Sequence, residues 1–308
     1  MSGTKVNPYA VLAIGVISVS TSAILVKVST APSGVIAFYR MFFSVLFMLP
    51  VFLIKYVPEL RLITRRDWLF SIAAGVFLAF HFILWFESLN YTSVASSTVL
   101  VTLQPLFAFI GTYFFFKEKF SWKAILSGLV AVIGSVIISW GDFKISGSAL
   151  FGDMLALIAC ALVTAYLMFG QSVRKRLSLV TYTFVVYSIS AITLFIYVLI
   201  RQEPLVPYGT SDWVYFILLA LIPNLLGHTL FNWSLKWLST STISMAILFE
   251  PVGAAILAYY LLQEAVVWTQ ALGGAIVIGG VSLFLLDERR IRLKEMKKNM
   301  IGGVKDGS

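Results

Sequence analysis

Apolar residues in this chain fall in long, nearly unbroken runs. They do not follow the 2- or 3.6-residue spacing of half-buried strands and helices. A helix crossing about 30 Å of hydrocarbon needs roughly 20 residues at 1.5 Å each. Ten runs of that order occur, at 9–28, 34–54, 68–87, 94–116, 122–140, 150–170, 179–200, 213–235, 243–262 and 266–286. The links between them are short and leave no room for a soluble catalytic domain. Strands of an outer-membrane barrel are half as long and alternate in polarity, which these runs do not. The pattern predicts an all-α membrane protein of ten transmembrane helices. The first run exceeds the 7–15 residues of a signal-peptide core and others follow it directly, so it reads as an uncleaved helix.

Composition agrees, and the placement of charge adds orientation. Of 308 residues 59% are hydrophobic and 12% charged, against about 45–50% and 25% in soluble domains. That excludes a soluble enzyme, a disordered chain and a nucleic-acid-binding domain, despite a net charge of +9. Numbering the links alternately, one side collects Lys5, Lys55, Arg61, Arg65, Arg66, Lys117, Lys119, Lys123, Arg174, Lys175, Arg176, Lys236 and seven cations from Arg289 to Lys305. These are nineteen of the 23 Lys and Arg residues; the other side has Lys144 and Arg201, and Lys27 and Arg40 lie within runs. Cytoplasmic loops carry the excess, so both termini are expected in the cytoplasm of a multi-pass cell-membrane protein. The tail 287–308 reads as a basic cytoplasmic segment, helical over Asp287–Lys298, beside anionic lipid. The single cysteine, Cys160, excludes disulfides and Cys-rich metal sites.

The chain also matches itself. At an offset of 146, Phe86–Ile137 aligns with Asn232–Leu283 without a gap and with about a dozen identities. They include Ser88/Ser234, Ser93/Ser239, Pro105/Pro251, Tyr113/Tyr259, Glu118/Glu264, Trp122/Trp268, Gly128/Gly274 and Gly134/Gly280. Phe38/Phe184 and Ser44/Ser190 share the offset, and one unpaired residue shifts Trp68 against Trp213. Residues 1–146 and 147–286 thus read as two five-helix repeats. An odd number of spans inverts the second copy, placing Glu118 on the cytoplasmic side and Glu264 outside. Inverted repeats around a midplane site are a recurring architecture of secondary transporters.

The repeated segments read LQPLFAFIGTYFFFKEKFSWKAILSGLVAVIGSVII and LFEPVGAAILAYYLLQEAVVWTQALGGAIVIGGVSLF, and APSGVIAFYRMFFSVLFMLP ends in Pro50 at a membrane rim. Together they resemble the EamA-like family of the drug/metabolite transporter superfamily, over nearly the whole chain. The resemblance implies a ten-helix carrier with a central cavity that exports amino acids or related small metabolites. The aromatic-plus-glycine pattern common in the family's first span is replaced here by VSTSAIL.

Few residues can carry transport chemistry. Pro105 and Pro251 lie well inside the fourth and ninth runs and deprive the carbonyls of Val101 and Ile247 of helical partners. In lipid such groups are tolerated only against protein or a wet cavity, so a kink at a transport path is expected. Glu250 is the only acid deep in a run, where a functional role is the default; it could hold a substrate ammonium or exchange a proton. Its repeat counterpart, Gln104, cannot titrate. Arg40, whose counterpart is Val186, could grip a carboxylate bidentately. Asn224, His228 and Asn232 form a polar stripe at i, i+4 and i+8, and His81, Trp85 and Ser88 another at i, i+4 and i+7. Both must face away from lipid, as cavity walls or as interhelical glue. Tyr39, Trp85, Tyr182, Tyr187 and Trp233 lie deeper than the aromatics at span ends, and Lys27 is placed to snorkel.

Ser127, Ala131, Ser135 and Ser139, with Ala271, Ala275 and Gly279, offer close helix packing within a subunit or in a homodimer. Two histidines without Cys or paired carboxylates do not make a metal site, and no motif calls for a cofactor. The reading is therefore a carrier of small organic metabolites, with sugar, nucleotide or vitamin carriage as the alternative. A lipid enzyme would need clustered acids or metal ligands at one interface, and a channel a charge ring or filter; neither is visible.

Overall fold

The computed structural model describes residues 6–92, 94–138, 140, 147–262 and 268–305. Lys5, Ser93, Ser139, Lys144 and Glu264 lie outside the described residues, so the Glu118/Glu264 pairing is not compared. Among the described residues there are helices and no strands. Nine segments are long and apolar enough to cross a membrane: α1 (Pro8–Val28), α2 (Ser33–Leu62), α3 (Arg65–Ser88), α4 (Ser96–Phe116), α6 (Gly147–Val173), α7 (Leu179–Arg201), α8 (Thr210–Ser234), α9 (Thr240–Leu261) and α10 (Ala271–Ile291). The remaining predicted span is a shorter apolar helix, α5 (Trp122–Ile138). α10 is part of one continuous helix, Trp268–Lys305, that carries on through the basic tail.

Local sequence explains the departures from straight helices. α1 is interrupted between Val19 and Ser22, where Ser20 Oγ donates to Val16 O at 2.9 Å and Thr21 Oγ1 to Ser18 O at 2.7 Å. Such back-bonding by Ser and Thr bends helices. α8 contains a π-helical stretch, Ala220–His228, around Pro223, and the Thr229 N–H reaches Asn224 O five residues back. Proline's missing N–H is a usual cause of such a bulge. α4 and α9 are not merely kinked but fully interrupted: Val94–Val101 gives way to Gln104–Phe116, and Thr240–Ile247 to Glu250–Leu262. Each second half begins one residue before Pro105 or Pro251, where a missing N–H does no harm.

Packing does not follow the two halves of the sequence. α1 lies against α8 while α6 lies along α3, so each half lends its first helix to the other. α2 packs on α7 and α8, and α3 packs on α7 as well. The first half of α4 meets the second half of α9, and the second half of α4 meets the first half of α9, so these two broken helices run antiparallel. The main apolar cluster joins side chains such as Leu12, Met41, Phe82, Tyr166, Tyr187 and Phe231 from six helices. A second, with Val99, Ala131, Met245, Leu248 and Val277, sits between α4, α5, α9 and α10. The outer surface is itself apolar, with Ile54 86%, Phe115 77% and Ile200 76% exposed, as a lipid-facing surface requires.

α5 and α10 lie side by side within the chain. Ser127, Ala131 and Ser135 face α10 as buried residues, but Ala271, Ala275 and Gly279 are exposed on its far side. The seam on α10 is instead Gly273, Val277 and Gly280. A Cβ on Gly280 would stand 2.7 Å from Ala131 N, and one on Gly134 2.8 Å from Val277 N. Gly134 and Gly280 are repeat counterparts, and each lets the other helix's backbone approach. The expected outcome is that Gly280→Val lowers the thermal midpoint of the detergent-purified protein, with overpacking costing about 1–3 kcal/mol. Gly279→Ala, with nothing within 4 Å, should leave the midpoint unchanged or raised. Equal loss from both would overturn this placement of the seam.

Candidate functional site

An enclosed cavity lies where the interruptions of α1, α4 and α9 meet. Its walls include Val19 and Ser22 of α1, Arg40 of α2, His81 and Trp85 of α3, Val101 and Gln104 of α4, Val163 and Leu167 of α6, His228 and Phe231 of α8, and Ile247 and Glu250 of α9. Val101 and Ile247 end the first halves of the broken helices, and Gln104 and Glu250 begin the second halves. Proline chemistry thus delivers the freed backbone and two polar side chains to one place. The cavity holds about 20 Å³, room for roughly one water and too little for a metabolite with the side chains as they stand.

Arg40 is fully buried. Its Nη1 donates to Ser22 Oγ at 2.8 Å, and its guanidinium carbon lies 4.1 Å from the Phe82 ring centroid. Nε and Nη2 have no hydrogen-bond partner. Glu250 lines the same cavity without forming an ion pair with Arg40: among the described residues the only pair within 4 Å is Arg176 with Asp67. Position at the first residue of a 13-residue helix offsets part of the burial cost, because the N-terminal end of a helix dipole favours negative charge. Trp85 Nε1, Gln104 Oε1 and His228 Nδ1 are also buried without partners. His81 Nδ1 is 3.0 Å from the Ala159 carbonyl, which can only accept, so Nδ1 carries a proton and donates there. Its ring stacks on Trp85 with centroids 5.8 Å apart. Buried polar atoms are almost always bonded, and five of the unmet ones belong to residues lining this cavity.

Several of the residues singled out in the sequence do not line the cavity, among them Ser88, Tyr182, Tyr187 and Trp233. Tyr39 points away, donating to Leu205 O at 3.0 Å and stacking on Phe216. Adjacent helix residues do not share a face, and Arg40 occupies the cavity side. Asn224 donates to Ser44 Oγ of α2 at 2.8 Å. Asn232 donates to His228 O at 2.8 Å and to the Tyr166 hydroxyl. The wider π turns of Ala220–His228 break the 3.6-residue register between Asn224 and His228, and of the three only His228 lines the cavity. Ser88, the third member of the α3 stripe, bonds Ser97 Oγ and Trp85 O, both at 2.6 Å. Pro105 and Pro251 act through the backbone rather than as lining. Sequence reasoning missed Ser22, whose only signal is a hydroxyl in the run VSTSAIL, and the apolar lining, which carries no signal beyond apolarity.

A model of the EamA-like transporter family matches residues 7–140 and 150–286. The chain belongs to the EamA-like transporter family. Among similar proteins is an uncharacterized transporter, YxxF, of Bacillus subtilis, 25% identical over 72% of this chain and 71% of that protein. An uncharacterized transporter of Archaeoglobus fulgidus is 22% identical over 88% of this chain and 94% of its own length. A solved crystal structure at 18% identity superposes with a TM-score of 0.75 over 92% of this chain and 98% of that one, which extends the likeness to the fold. This EamA-family protein is therefore a multi-pass membrane transporter, and the cavity is its candidate substrate site.

Arg40 can be set against Arg174, also buried, whose Nε donates to Asn232 O at 2.9 Å and whose Nη1 donates to Leu177 O. Arg174 is bonded into the fold, and Arg40 is largely free. Replacing a poorly compensated buried charge by an apolar group of similar length is often neutral or stabilising, whereas orphaning buried carbonyls costs about 1–3 kcal/mol. Arg40→Met is expected to keep or raise the thermal midpoint in detergent, and Arg174→Met to lower it. Comparable destabilisation by both would mark Arg40 as structural.

Proposed function

We propose that the chain is a secondary carrier that exports small zwitterionic metabolites, amino acids foremost, by alternating access around this cavity. The observation that carries the reading is the pair Arg40 and Glu250: a base and an acid lining one cavity with no ion pair between them. Buried charges are costly unless compensated. A substrate with a carboxylate and an ammonium would compensate both at once, the carboxylate on the free Nε and Nη2 edge of Arg40 and the ammonium on Glu250. Gln104, His81, Trp85 and His228 would bond and stack around it, with Asn224 and Asn232 fixing α8 behind them. We take all ten apolar segments to cross a cell membrane, with both termini in the cytoplasm. The nineteen-to-two bias of Lys and Arg supports that orientation. The antiparallel crossing of α4 and α9 supports an inverted relation between residues 1–146 and 147–286.

Glu250 also supports a second role, exchange of a proton for substrate, because its carboxylate accepts no hydrogen bond from the described residues and its counterpart Gln104 cannot titrate. The two roles separate in proteoliposomes. If Glu250 holds the ammonium, Glu250→Gln lowers counterflow of a labelled zwitterionic amino acid by more than about tenfold, as expected for a lost buried charge partner. If it carries the proton, Glu250→Gln keeps counterflow but loses transport driven by a pH gradient. Unaltered counterflow and unaltered pH dependence would remove Glu250 from the mechanism. A thermal-shift screen against amino acids, sugars and nucleotides tests the substrate class, with stabilisation by sugars or nucleotides alone counting against the zwitterion.

A further inference from the structure

Two buried acids outside the cavity occupy matching places in the repeats. Asp67 and Asp212 each precede a tryptophan, Trp68 and Trp213, that the repeat aligns. Each lies in the first turn of its helix, α3 or α8, and each is almost wholly buried, at 1% and 2% exposure. Each also reaches across to the other half of the chain. Asp67 Oδ1 accepts from Arg176 Nε at 3.0 Å and forms the ion pair with its Nη2, in the α6–α7 turn. Asp212 accepts from Ser29 Oγ at 2.7 Å, Thr30 N at 2.9 Å and Thr30 Oγ1 at 2.8 Å, in the α1–α2 turn. Thr30 and Arg176 are themselves counterparts at the 146-residue offset.

The two contacts lie on opposite faces of the bundle. α3 has 24 residues and so is about 36 Å long, with Asp67 at its start. At its far end the Leu89 carbonyl accepts from Lys27 Nζ at 3.3 Å, and Asn90 donates to Ser33 Oγ at 3.3 Å. Lys27 and Ser33 flank Ser29 and Thr30, so the Asp212 contact sits at that far face. Each face also has further ties: on the Asp67 side Glu118 accepts from Gln171 and Ser241, both at 3.1 Å, and Glu59 accepts from Ser178 N at 2.6 Å.

We propose that Asp67 and Asp212 are positioning residues that latch the two faces of the carrier, and that transport requires releasing them alternately. The inference rests on the alternating-access reading above. In this structure both are fastened, beside a cavity of only about 20 Å³. Opening toward the Asp67 face separates α3 from the α6–α7 turn, and opening toward the Asp212 face separates α8 from the α1–α2 turn. Each latch joins a helix of one half to a turn of the other, so releasing one frees the packing on its own face alone. The latches differ in chemistry. Asp67 holds a cation that is 46% exposed and is open to screening by salt, whereas Asp212 holds neutral donors.

The test places one cysteine in the cavity wall, Val19→Cys, in a Cys160→Ala background, and labels it from each face of sided vesicles with a membrane-impermeant thiol reagent. Asp67→Asn should raise the labelling rate from the Asp67 face by about tenfold, the shift expected when a charge-assisted hydrogen bond is lost from one side of an equilibrium, and leave the other face unchanged or slower. Asp212→Asn, or Thr30→Val if that variant does not fold, should do the reverse. Asp67→Arg with Arg176→Asp should restore the wild-type rates, a rescue that a purely structural role for Asp67 alone would not give. High salt should mimic Asp67→Asn and not Asp212→Asn. Equal changes from both faces, or none, would overturn the latches. Labelling of the unmutated latches from one face only, under inward and outward substrate gradients alike, would instead overturn the alternating-access reading itself.

Discussion

Inside a bilayer a backbone carbonyl without a partner is costly, because hydrocarbon offers no water to replace the missing bond. That constraint organises the molecule. Pro105 and Pro251 break α4 and α9 at mid-length, and the breaks are tolerable only where other helices shield them from lipid. The two helices cross antiparallel so that both breaks meet, α1 adds a third interruption beside them, and four further helices complete the wall. The cavity thus houses freed backbone and unpaired side chains together. Gln104 and Glu250 are carried there by the same residues that break the helices.

Exchange of helices between halves gives this centre its mechanical character. Because α1 leans on α8 and α6 on α3, neither half forms a separate body that could rock against the other. Any opening must slide elements of both halves past one another. The seam between α5 and α10 is different, since glycines bring the backbones into direct contact at Gly134 and Gly280. Close contact of this kind resists sliding. α5 and α10 therefore make a natural fixed strut, and the cavity helices the moving parts.

Much of this was legible in the sequence for physical reasons. Span positions follow from length and apolarity, and the breaks from proline, although the chain goes beyond a kink to a full interruption. His81, Trp85, Arg40 and Glu250 were readable as polar groups with nowhere to go but inward, and all four line the cavity. Tyr39 was also readable, in hindsight, as excluded by its neighbour Arg40, since successive helix residues point about 100° apart. Other features left no local trace. The π stretch that splits Asn224 from His228 depends on how Pro223 is accommodated. α10 carries small residues on two faces, and only the presence of α5 tells Gly273 and Gly280 apart from Ala275 and Gly279. Pairing of α1 with α8 is a long-range choice among similar apolar surfaces, which periodicity does not encode.

The scaffold is repeated closely: Pro105 with Pro251, Gly134 with Gly280, Asp67 with Asp212. The cavity charges are not. Glu250 faces its neutral counterpart Gln104, and Arg40 corresponds to Val186, so the repeat supplies the frame and its departures supply the chemistry. Two like copies of Glu250 in one small cavity would repel, and two copies of Arg40 would attract only anions. One of each makes a dipolar site with a defined direction across the cavity. With the inverted relation proposed above, the frame can present that single acid–base pair to either face at similar energy, which alternating access requires. The latches fit the same logic, since equivalent acids hold unlike partners, Arg176 and the Ser29–Thr30 turn. The two closed faces are therefore alike in geometry and unequal in strength.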